Sequence, residues 1–118
     1  MMNDTTLCPS LPLGLLEIDR FDTVLYYAPS AGERSPSQFA EIIGKNFLQD
    51  VMLPEQAGPF QDHLARFKAS RALFDSLSLL VPCLNQGSIR IRVSLARKRE
   101  PARPDQAETI LVNLRKDQ

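Results

Sequence analysis

Tryptophan is absent from the 118 residues, histidine occurs once and cysteine twice. Each scarcity closes off a class of chemistry. A lone histidine, His63, cannot build a multi-histidine metal centre. Cys8 and Cys83 stand far apart with no CxxC spacing, so neither a zinc site nor a redox pair is expected and both thiols are expected free. No apolar run approaches the ~20 residues of a membrane span. The N-terminus Met1-Met2-Asn3-Asp4 is polar, where a secretory signal would be basic and then apolar. The chain is therefore expected in the cytoplasm with no membrane partner. A nucleophile elbow, a Ser-His-Asp order and a glycine-rich phosphate loop are also missing, so enzymatic activity is not expected.

What is present is the composition of one globular domain, 43% hydrophobic and 24% charged with a net charge of zero. The chain is long enough to bury a single core without disulfides or metal. Its charge is unevenly spread. Residues 1–65 hold three Lys/Arg against nine Asp/Glu, whereas residues 66–118 hold eleven against five. Such a dipole can steer association. The basic run Arg97-Lys98-Arg99 with Arg103 lacks interleaved aromatics and reads as a solvated hairpin loop, not a nucleic-acid footprint.

Residues 1–10 form a polar N-terminal arm, and the domain is expected over 11–118. LPLGLLEID predicts a first strand at 13–19, with Pro12 confined to its beginning. Asp19-Arg20-Phe21-Asp22 is turn-like, and TVLYY at 23–27 is the second strand of a hairpin. Prolines, glycine and serines between Ala28 and Ser37 break regular structure. Ser35-Pro36 then starts a helix that Gly44 closes, since a helix C-terminus calls for a left-handed residue. A single turn follows Asn46-Phe47. Phe60, Leu64 and Phe67, at i, i+4 and i+7, mark one face of a helix over 57–70. A strand is expected at 73–81, a turn over Pro82–Gly87, and a strand at 89–95, where Ile89, Ile91, Val93 and Leu95 alternate with polar or small residues. Arg97–Gln106 is a predicted loop, and a last strand covers 109–114. The carboxylate pairs Asp19/Asp22 and Glu41/Asp50 are assigned to turns and helix surface.

Two strands, helices and a three-strand meander make an α+β layer with helices on one face of the sheet. The residues of LPLGLLEID, TVLYY and IGKNFLQDV, resumed in PFQDHLARF and LFDSLSL, resemble a PAS domain. The likeness is nearest to photoactive yellow protein and its PAS relatives, and covers roughly nine-tenths of the chain. It implies a five-stranded antiparallel sheet and a cavity between sheet and helices, where family members hold a chromophore, haem, flavin, a metabolite or nothing. The pocket residues it implies are Tyr27, Ala31, Ser35, Phe47, Leu53, Phe60, His63 and Leu64.

The same resemblance argues against three cofactors. After Val51 comes Met52-Leu53-Pro54-Glu55, without the cysteine that carries the hydroxycinnamoyl group in the yellow protein. Tyr27 matches the tyrosine that holds its phenolate, but Ala31 replaces the partner glutamic acid, and a buried phenolate lacking partners costs several kcal/mol, roughly. The flavin motif resembling GxNCRFLQ is met by GKNFLQ, again without its cysteine. In haem-binding relatives the ligand position aligns with Phe60, not His63, which leaves haem a minor alternative. The expectation is a non-catalytic sensory domain that binds a small apolar or aromatic ligand and signals by protein contact through the sheet face, as a homodimer or with a partner. The alternative is a ligand-free interaction module.

Overall fold

The computed structural model describes residues 11–30, 41–52, 54–83, 87–98 and 109–117. The first two strands are β1 (Gly14–Ile18) and β2 (Val24–Pro29), followed by a π-helical turn (Phe47–Val51) and the helix α1 (Pro54–Ala69). Strands β3 (Phe74–Cys83), β4 (Gly87–Lys98) and β5 (Thr109–Lys116) complete the order. All four strand pairings are antiparallel, in the spatial order β2-β1-β5-β4-β3. The α+β class and the five-stranded antiparallel sheet are thus as expected. The N-terminal arm with Cys8, the helix start at Ser35-Pro36, and the basic residues Arg99 and Arg103 lie outside the described residues.

The hairpin turn is built by its aspartates. Asp19 Oδ1 accepts from the backbone N–H of Phe21 at 2.8 Å and of Thr23 at 3.0 Å, an Asx turn. Asp22 adopts φ 67°, which short polar side chains tolerate. Its carboxylate receives Lys68 Nζ of α1 at 2.7 Å. Neither aspartate is left over for acid–base work.

The run Gly44–Val51 pins the turn to the hairpin. Gly44 has φ +92°, the left-handed conformation its place requires. Asn46 Oδ1 then caps the N–H groups of Leu48 and Gln49 at 3.0 and 2.9 Å, and Asp50 Oδ2 receives Asn46 N in return at 3.1 Å. Reciprocal bonds of this kind satisfy donors that a helix start leaves free. Phe47 N donates to Asp22 O at 2.7 Å and Val24 N to Lys45 O at 2.9 Å. The turn therefore covers the start of the edge strand β2 and drives Phe47 into the interior.

Phe60, Leu64 and Phe67 are buried with Leu16, Ile18, Val93, Leu95, Val112 and Leu114 in one cluster, as the periodicities require. Residues 41–44, expected as the last turn of a helix, are not helical, and four boundary differences bear on the packing. The helix begins at Pro54, three residues before 57. β2 runs on to Pro29, through residues read as a break. Arg97 and Lys98 belong to β4, not to a loop.

The fourth is the turn predicted to begin at Pro82, because Pro82 and Cys83 are still strand. β3 is an edge strand. Leu80 O turns away from β4 to receive Gln56 Nε2 at 3.0 Å, and Pro82, two residues on, presents its nitrogen on the same outer side. No ladder bond is lost there, so proline is tolerated.

Candidate functional site

Phe47 and Phe60 meet edge to face, ring centroids 5.5 Å apart at 67°, and both are fully buried. Leu64 lies one turn beyond Phe60 in the same core. Tyr27 packs against that core and donates its hydroxyl to Leu13 O at 3.0 Å. The structure thus brings Phe47, Phe60 and Leu64 together and ties Tyr27 to the chain leading into β1. Ala31, Ser35 and Leu53 lie outside the described residues.

His63 is committed elsewhere. Its Nε2 lies 2.8 Å from Asp75 Oδ2 on β3, with side chains 22% and 44% exposed. Axial ligation of haem through that nitrogen would require breaking the pair. The two residues line an open groove of about 450 Å³ with Arg66, Phe67, Ser70, Ala72 and Phe74. The Asp75 carboxyl is held below its ordinary value of 3.8 by the backbone N–H of Ser76, then by the His63 hydrogen bond. The carboxylate's contribution to stability is accordingly complete above the ordinary value and is lost as pH falls through the lowered one. Urea unfolding followed from neutral pH down to about pH 2 should show a shallower acid loss in Asp75→Asn than in the parent. Identical acid limbs would remove Asp75 as a contributor.

Two more residues at this junction have roles that sequence reasoning did not assign, Gln56 being given none and Arg97 being read as part of a solvated loop. Gln56 is only 6% exposed, and its Oε1 has no donor in reach. Its amide orientation is set by Leu80 O, which can only accept, so nitrogen must face that carbonyl. The signal was available, since Gln56 precedes Phe60 and Leu64 at four-residue spacing.

Arg97 is the second. Its Nη2 donates to Phe67 O, to Ser70 O at 2.7 Å and to Lys68 O at 3.3 Å, while Nε donates to Ala72 O at 2.8 Å. The guanidinium also lies 4.7 Å from the Phe67 ring centroid. A fixed fork of donors thereby closes the C-terminal carbonyls of α1, where positive charge is favoured. Continuing the inward alternation Ile91, Val93, Leu95 leads to Arg97, so its direction was legible while its partners were not. Arg97→Ala should cost about 3 kcal/mol in chemical unfolding, with Arg97→Lys recovering less than half because an ammonium lacks the fork. An equal loss in both variants would mean that charge and geometry are irrelevant there.

On the opposite face of the sheet the register aligns Tyr26, Glu17, Leu111, Ala96 and Phe74 in one row across all five strands, with Phe74 also bordering the groove beside His63. The next row is Ala28, Leu15, Asn113, Ser94 and Ser76. Arg92 and Arg115 face each other one row further. Tyr26 is 49% and Phe74 63% exposed.

Among the described residues, no group of His, Cys, Asp or Glu gathers in a way that would hold a metal ion, and no helix is long and apolar enough to cross a membrane. No protein-family model matches the chain, and no curated protein matches it.

Proposed function

We propose that this is a non-catalytic PAS-type sensory domain, with its helices layered on one face of the sheet and a small apolar or aromatic ligand taken up between them. The observation that carries the reading is the strand order β2-β1-β5-β4-β3. That order puts the two N-terminal strands beside the C-terminal one, the strand arrangement a PAS fold needs. The Asn46-capped turn after Gly44 lends further support, since it delivers Phe47 to the side where the ligand would sit. Gln56 Oε1 is a buried acceptor still without a donor, and a ligand hydroxyl or N–H would satisfy it. A hydroxylated or N–H-bearing ring therefore suits this interior better than a hydrocarbon. Output is by contact with another protein, with homodimerisation and a cytoplasmic setting as parts of the reading.

A ligand-free interaction module is the second reading. The tight edge-to-face packing of Phe47 on Phe60 favours it, because a filled core needs no guest. Native mass spectrometry and an absorbance spectrum of freshly purified protein separate the two. The sensory reading expects a bound mass, or a thermal shift with phenols or indoles that is lost in Gln56→Leu. A bare chain with no shift across such a panel overturns it and leaves the interaction module. A haem spectrum would overturn both.

A further inference from the structure

The geometry points to the outer face of the sheet as the docking surface for an acidic amphipathic helix of a partner protein, laid across the strands. This deepens the contact-based output proposed above by stating the partner's chemistry. It does not depend on an interior ligand.

The face divides into an apolar band and a basic flank. The band consists of Tyr26, Leu15, Leu111, Ala96 and Phe74, which the pairing register places in two adjacent rows. Its two ends, Tyr26 on β2 and Phe74 on β3, are its most exposed members. Glu17 interrupts the band but is already neutralised, receiving Thr109 Oγ1 at 2.7 Å and Lys98 Nζ at 3.3 Å. Four inter-strand steps at ~4.8 Å make the band about 19 Å long, the length of roughly 13 helical residues at 1.5 Å each. A helix of three to four turns spans it.

The flank is set by Arg92, Arg115 and Arg90. Arg92 and Arg115 lie two residues along β4 and β5 from Ser94 and Asn113, hence about 7 Å from the edge of the band. Arg90 follows on the same face of β4, opposite Leu80. Asp117 takes up Arg92 at 3.1 Å, while Arg90 and Arg115 have no acidic partner among the described residues. Among the described residues the acids on this face, Glu17 and Asp117, are therefore both spent within the chain. A second copy stacked face to face would bring, among the described residues, three arginines and no free carboxylate. Three arginines on one flank are complementary to acids of a different protein, carried on the flank of a helix whose leucine-like face covers the band.

The test uses the full chain, isotopically labelled, and two synthetic helical peptides of about 14 residues, a length set by the band. Both carry leucine at i, i+3, i+4 and i+7, one with glutamate along a flank and its twin with lysine. Amide shifts on addition of the glutamate peptide are expected to centre on Leu15, Leu111, Ala96, Phe74 and Arg92. Binding should weaken about tenfold in Arg92→Glu/Arg115→Glu and at raised salt. The same double variant should gain affinity for the lysine twin while still unfolding in one cooperative transition. Equal binding of the twins, shifts on another surface, or no shift at excess peptide overturns the proposal. So does self-association in sedimentation that Phe74→Ser abolishes, which would give the face to a second copy. Failure of the interior-ligand reading appears instead in the native mass spectrum and leaves these titrations unaffected.

Discussion

Gly14→Ala is expected to lower stability by on the order of 4 kcal/mol, from backbone strain and overpacking together. Gly14 opens β1 at φ +137°, and a Cβ placed there would lie 2.3 Å from Ala28 O, 2.8 Å from Ser30 N and 2.9 Å from Pro29 C. All three neighbours are backbone, so no side chain can swing aside. Relief would require β1 and β2 to separate where Gly14 pairs with Pro29, and β1 also pairs with β5 through Leu114. Ser30 N donates to Leu13 O at 3.1 Å beside this contact, so that bond would be strained as well. Chemical unfolding reads the loss directly, and a midpoint lower by more than ~10 °C should accompany it in thermal melts. A variant as stable as the parent would mean that the strands part at no cost.

Phe60→Ala should cost about 3–5 kcal/mol, because the ring is fully enclosed and its removal leaves a cavity that helix and sheet cannot collapse into. The edge-to-face pair with Phe47 contributes about 0.5–1.5 kcal/mol of that. Against a total stability of roughly 5–15 kcal/mol, the loss is a fifth or more of the whole. Phe60→Leu keeps most of the volume and should cost under about 2 kcal/mol. Urea unfolding of both variants checks the contrast. Equal costs would mean that the site relaxes freely around a missing ring. If the interior takes a ligand, Phe60→Ala should also bind larger aromatics than the parent, with affinity recovering part of the lost stability by linkage.

The two residues differ in how legible they were. Phe60 declares itself through its spacing from Leu64 and Phe67, which no strand could reconcile with one buried face. Gly14, inside an apolar run, gives no sign that it must be glycine, because the clash is with the returning strand β2. Asn46 shows its capping role locally, since the donors it serves are two and three residues away. Gln56 and Arg97 follow the apolar periodicities around them, and a polar residue in an inward phase was the available signal. Their partners were not available, since Leu80 and Phe67 are 24 and 30 residues distant. His63 stands one residue before Leu64 in the sequence, yet its commitment to Asp75 depends on how the helix lies over β3.

Local chemistry alone was therefore enough to determine the order of the five strands and of α1, the class of the fold and the inward face of β4. Periodicity, turn residues and caps act over a few residues and need no distant partner. Only the tertiary structure decided how the edge of β3 is closed by Gln56 and Pro82, how Arg97 seals the end of α1, and which apolar side chains line up across the outer face. Those outcomes follow from strand register and helix placement, where a shift of one residue exchanges one face for the other.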